Sequence, residues 1–190
     1  MGRGGEFGAL LRFVAGCSAS LLAGAFLFHA RIFEPDSAWF QCLTVGALLA
    51  GVLALTRIGR PGQALLLAIS YTLVQIGYAW TQGWRRALAE TVASAVVAAG
   101  AVVVAQIFDL LDRDGYRFGK FALLGPLLAG VFLASATLTL VGLSPADDVF
   151  GLLVRQVFVG LVVGDSVGLG VELVELVPVF RPKATQIPEA

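Results

Sequence analysis

Charge is what this chain of 190 residues has least of: 14% is Asp, Glu, Lys or Arg, and 58% is hydrophobic. Soluble domains carry about 25% charged residues, so the deficit excludes an ordinary water-soluble domain. Basic and acidic residues balance at 13 each. No basic excess interleaves with aromatics, and a nucleic-acid partner is excluded on that ground. A single histidine, His29, supplies neither a zinc site nor a haem pair. The two cysteines, Cys17 and Cys42, lie in apolar segments without CxxC spacing and read as small buried hydrophobes rather than a disulfide. The sequence contains no G-x-x-x-x-G-K-[ST] and no H-E-x-x-H, which removes the P-loop and zincin chemistries. No catalytic residue, metal or cofactor is expected, and the chain reads as a non-enzyme rather than an enzyme.

What is present is apolar length. The mean hydropathy is +0.87, and a helix needs roughly 20 apolar residues to cross the hydrocarbon core. Six stretches meet that length, over 9–29, 38–56, 62–81, 87–108, 120–142 and 150–177. The first lacks a convincing cleavage site and five more follow it, so it reads as a span rather than a secretory leader. Pro35, Pro61 and Pro145 precede the second, third and sixth stretches, where a missing N–H costs little. The fold expected is an all-α integral membrane protein, a six-helix transmembrane bundle with short loops. Residues 1–8 form an N-terminal tail, 9–177 the membrane domain and 178–190 a flexible C-terminal tail.

Charge bias orients the bundle. Arg3, Arg12, Arg57, Arg60, Arg113, Arg117, Lys120, Arg181 and Lys183 fall on one side; Arg31, Arg85, Arg86 and Arg155 fall on the other. The richer side is cytoplasmic by the positive-inside rule, which places both termini there. The location expected is therefore multi-pass in a cell membrane of bacterial or archaeal type. The partner expected first is the lipid bilayer. A membrane or cytoplasmic protein partner, or a homo-oligomer, stays open.

The sixth stretch carries the chemistry. Gly160, Gly164 and Gly168 recur every four residues, a small-residue ridge against which another helix packs closely. Asp165 and Glu172 share a face seven residues apart, Asp165 near mid-membrane, while Glu175 lies near the interface. Intramembrane acids are costly and face the bundle interior or a water-filled cavity as a rule, and that position is expected for Asp165. It serves there either as an ion, proton or substrate ligand or as a structural hydrogen-bonding lock. Arg155 and Glu90 lie on the same membrane side and are candidates for a structural ion pair. On the third stretch Tyr71, Gln75 and Tyr78 follow an i, i+4, i+7 stripe. With Thr137 and Thr139 they line a polar cavity or serve as interhelical hydrogen-bond partners. Pro126 within "LLGPLLAG" reads as a kink in the fifth helix.

Six short-looped helices in a chain of this length look like the substrate-binding subunits of energy-coupling-factor vitamin transporters. The segment "ASLLAG", Ala19 through Gly24, is similar to the small-residue ridge that such subunits use against their transmembrane partner. The resemblance covers the helix count and the pair Ala19 and Ala23, and the acids of the last helix match no ligand pattern that carries over. Three functions stay open. One is a small transporter or transport subunit for a solute or ion, coupled to protons or cations through an acid in helix six. The others are a non-catalytic membrane scaffold or assembly subunit, and an intramembrane enzyme or sensor.

Overall fold

A computed structural model describes residues 3–29, 35–81, 84–113, 120–143 and 149–176. Among these residues the secondary structure is helical throughout: α1 (Arg3–His29), α2 (Pro35–Arg57), α3 (Pro61–Trp80), α4 (Trp84–Arg113), a 3-10 turn (Lys120–Leu123), α5 (Leu124–Leu143) and α6 (Val149–Leu176). The C-terminal tail of 178–190 and the acidic turns at 30–34 and 144–148 lie outside the described residues. Helix α1 begins at Arg3, well ahead of the first apolar stretch.

Four stretches are long and apolar enough to cross a membrane: Gly5–Leu27, Pro61–Trp80, Ala87–Leu111 and Val149–Leu176. The apolar parts of the other two helices, Cys42–Arg57 and Leu124–Leu138, are shorter, so four rather than six helices satisfy the length criterion among the described residues. The outer surface is that of a multi-span membrane protein. Leu22, Phe26, Leu66, Leu73, Trp80 and Phe150 are each more than 60% exposed, an apolar display that water does not tolerate on this scale.

Helix α2 is the centre of the bundle and packs on α1, α3, α4 and α6. Its shorter apolar stretch faces protein: Leu48, Leu49, Ala50 and Val52 are almost fully buried. Helix α3 is peripheral and buries only Ala64, Ala68 and Ala79. Helices consecutive in the chain pack antiparallel, and buried hydroxyls pin their register. The Ser20 hydroxyl of α1 donates to the Cys42 carbonyl of α2 at 2.6 Å, and the Ser135 hydroxyl of α5 donates to the Ala93 carbonyl of α4 at 3.2 Å. In a low-dielectric interior each such bond also discharges a carbonyl or hydroxyl that has no water to turn to.

Between α2 and α3 the chain reverses in three residues. Gly59 takes φ 73°, the left-handed conformation that only glycine adopts without cost. The Gly59 N–H bonds the Thr56 carbonyl and the Arg60 N–H bonds the Leu55 carbonyl, both at 2.9 Å, which is the Schellman closure of a helix end. Pro61 then opens α3 at a position that requires no N–H donor.

The fifth helix differs from the expectation of a mid-helix kink. The apolar stretch beginning at Lys120 starts as a 3-10 turn, and the α-helix begins only at Leu124. Pro126 is therefore the third residue of α5, inside the first turn, where no intrahelical N–H bond is lost. Pro126→Ala should leave the fold intact and change stability by less than about 1 kcal/mol, measured by unfolding in detergent micelles. Removing a proline that kinked the helix interior would instead move stability by several times that amount.

Candidate functional site

The two faces of α6 have separate neighbours. Val163, Val167 and Val171 form its buried stripe. Beside that stripe, Gly160 and Gly164 meet the backbone of α5: a Cβ at Gly160 would sit 2.7 Å from the Ala129 nitrogen, and one at Gly164 2.7 Å from the Gly125 Cα. Toward α1, a Cβ at Gly170 would sit 2.6 Å from the Ala15 oxygen and 3.1 Å from the Ala19 Cβ. Ala19 thus packs inside the chain, against α6. Gly168 is also buried.

Asp165 lies outside this packed surface. Its side chain is exposed on the outer face of the α5–α6 pair, and a Cβ added at Gly125 would run into its carboxyl group. The expectation of an interior position is corrected here. One residue is 100° on a helix, so the turn that aims Val163 and Val167 inward aims Asp165 outward. Glu172 is half-buried on the same helix. Arg155 is exposed, and among the described residues it forms no ion pair with Glu90. Helix α5 packs on both α4 and α6. The Thr137 hydroxyl donates back to the Leu133 carbonyl of its own turn at 2.8 Å, at an exposed position, so it lines no cavity with α3.

The polar groups that do converge sit between α2, α3 and α4. The Gln75 amide donates to the Thr44 hydroxyl at 3.4 Å. The Tyr71 hydroxyl lies within hydrogen-bonding reach of Gln75 and within electrostatic reach of the Glu90 carboxyl. All four side chains are half-buried. Tyr78, the third member of the stripe, is 57% exposed and stands apart near the end of α3. Tyr71 and Gln75 reach inward because α3 turns its alanine face, Ala64, Ala68 and Ala79, to the bundle. Glu90 joins them from one turn inside the apolar span of α4. The resulting site offers one carboxyl, one amide and two hydroxyls from three helices. Among the described residues no group of three or more His, Cys, Asp or Glu side chains is arranged to hold a metal ion.

A second charged cluster was not legible as a site in the sequence. At the end of the bundle that holds the start of α1 and the end of α6, Glu175 contacts Arg57 of α2, and the Arg12 Nε of α1 lies 3.6 Å from the same carboxyl oxygen. A second pair, Arg60 with Glu6, ties the α2–α3 turn to α1. The signal available was positional: Arg12 near the start of α1 and Arg57 and Glu175 at the ends of α2 and α6 fall at the same end of the bundle. Glu175→Ala leaves two guanidinium groups facing one another. It should cost about 1–3 kcal/mol, less than breaking a fully buried pair because water reaches Arg57. Unfolding titrations of the single variant and of the Arg57→Ala, Glu175→Ala double variant check this, the double variant being expected to lose less than the two singles combined.

No known protein family, no curated protein and no solved structure matches the chain. The geometry is that of a polytopic helical membrane protein with a polar site at a junction of three helices.

Proposed function

We propose that this protein is a small multi-pass membrane transporter, or the membrane-embedded subunit of one, and that the species it handles is a proton, a metal cation or a protonated amine. In this reading all six helices cross the bilayer and both termini are cytoplasmic, which agrees with the bias of basic residues toward one side. The observation that carries the reading is Glu90, half-buried inside the apolar span of α4 and within electrostatic reach of Tyr71. An ionisable group at membrane depth is expensive, and such groups mark ion or substrate pathways. A carboxylate with hydroxyl and amide groups in the same half-buried region attracts cations and repels anions, and Thr44, bonded to Gln75, adds a hydroxyl from the central helix. The coupling acid in this reading is Glu90 on α4 rather than Asp165 on α6, which faces away from the site.

The test is a thermal-shift and proteoliposome-uptake screen of the purified protein against monovalent and divalent cations, alkylammonium ions and matched anions. Stabilisation and uptake confined to cations are expected. Stabilisation by none of the cations, together with leak-level flux of all of them, would overturn the reading.

A further inference from the structure

We infer that the polar site opens at the outer end of the bundle, the end opposite the Glu175 cluster. There the outer half of α3 parts from α2, and the Gln75–Thr44 bond is the latch. The inference rests on the reading of that site as a cation pathway and adds the route by which a cation reaches it. Position comes first. Thr44 lies nine residues after Pro35, Gln75 five before Trp80 and Glu90 six after Trp84. At about 1.5 Å per residue, all three sit within about 14 Å of the outer helix ends. The opposite end is closed. The chain reverses there from α2 to α3 in three residues, Arg60 pairs with Glu6, and Arg57 and Arg12 meet Glu175. A seam hinged at one end separates at the other.

Packing agrees with that direction. No residue of α3 from Ile69 through Tyr78 is fully buried, although Ala64 and Ala68 before them and Ala79 after them are. A Cβ at Gly77 would meet nothing within 4 Å. Nearer the closed end, a Cβ at Gly51 of α2 would meet the Leu67 side chain of α3. The α5–α6 and α1–α6 seams instead bring backbone against Gly160, Gly164 and Gly170. Two hydroxyls in the outer half of α3 serve their own helix. Thr72 donates to the Ala68 carbonyl at 3.1 Å and Thr81 to the Tyr78 carbonyl at 2.7 Å. The Gln75 amide does reach α2, but its bond to Thr44 at 3.4 Å is longer than usual. On its far side α4 is tied to α5 through the Ser135 hydroxyl. Segments with few buried contacts open at low cost, and moving elements are drawn from them. When α3 parts from α2, Tyr71 and Gln75 move with one wall while Thr44 stays on the other. The half-buried region that they share with Glu90 then faces the outer solution.

The experiment uses the full chain in lipid nanodiscs, with Cys17 and Cys42 replaced by alanine and spin labels on two introduced cysteines. Leu43→Cys on α2 with Val74→Cys on α3 spans the outer seam. Val14→Cys on α1 with Leu66→Cys on α3 spans the closed end, and all four positions are exposed. Pulsed dipolar spectroscopy should find a short and a long distance for the outer pair and one distance for the inner pair. Gln75→Ala should raise the ratio of long to short about fivefold, the scale of one hydrogen bond. Thr44→Ala, which removes the acceptor from the other helix, should do the same. A single outer distance, unchanged by either substitution, would overturn the inference. So would a second distance of equal weight at the inner pair. The two populations are read with Gln75 and Thr44 intact, so a variant that misfolds does not obscure the result. The distances are also read without transport. A chain that opens yet takes up no cation keeps the opening and loses the cation pathway, and uptake with one fixed outer distance does the reverse.

Discussion

Glu90→Gln abolishes cation-dependent stabilisation and lowers uptake by at least about thirtyfold, while the purified variant keeps the unfolding profile of the wild type. The size follows from removing a partially desolvated charge from its counter-ion, a loss of about 2 kcal/mol or more, which is roughly thirtyfold in affinity. The fold is retained because glutamine has the same length and removes a charge from the apolar span without removing side-chain volume. Tyr71→Phe removes a hydroxyl beside the charge rather than the charge itself, and should reduce uptake by only about fivefold, the scale of one neutral hydrogen bond. Competition binding with the best cation from the screen separates the two variants. Wild-type affinity in Glu90→Gln would remove the site from the pathway.

Gly164→Leu prevents α5 from seating on α6. A Cβ at Gly164 would lie 2.6 Å from the Leu124 carbonyl oxygen and 2.8 Å from the Gly125 nitrogen. These are backbone atoms at a helix start, and no side-chain rotation relieves the contact. Alanine alone should cost about 1–3 kcal/mol, the range for overpacking a well-packed site. Leucine forces the helices apart, and the yield of monodisperse protein should fall several-fold. The control is Gly77→Ala on α3, where a Cβ meets nothing within 4 Å. That substitution should be neutral or slightly stabilising, because alanine favours the helix. Unfolding titrations in detergent on all three variants rank them, and a Gly164→Ala variant as stable as Gly77→Ala would contradict the close approach.

These outcomes rest on features that were unequally visible in the residues. Apolar length is a one-dimensional property, and the existence of each helix follows from it. Which way a side chain points in an apolar helix does not. Helix α6 is hydrophobic on every side, so no polar stripe marks its outer face, and only the spacing of Val163, Val167 and Val171 distinguishes inside from outside. Asp165 was given an interior position on the general cost of exposing an acid to lipid, whereas the glycines that α5 needs occupy the neighbouring face. The start of α5 was hidden for a similar reason: hydropathy is continuous across Lys120–Leu123 and does not separate a 3-10 turn from an α-helix. Tyr71 and Gln75 were visible as a stripe, but their companions Thr44 and Glu90 come from other helices. Contacts of that kind depend on which helices are neighbours, and a single sequence does not encode that order in any local pattern.

The closure of α6 on α1 has a consequence for biosynthesis. Ala15 and Ala19 of the first helix wait for Gly170 of the last, and Arg12 and Arg57 wait for Glu175. Nascent chains emerge from the N-terminus onward, so α1 through α5 are made while that seam is open and its two guanidinium groups lack their carboxylate. The bundle reaches its final arrangement only when the last helix is released. A chain arrested before Val149 carries an unfilled groove and an unmatched pair of arginines at the membrane edge, a state that a quality-control protease can tell from the finished protein without sensing any activity.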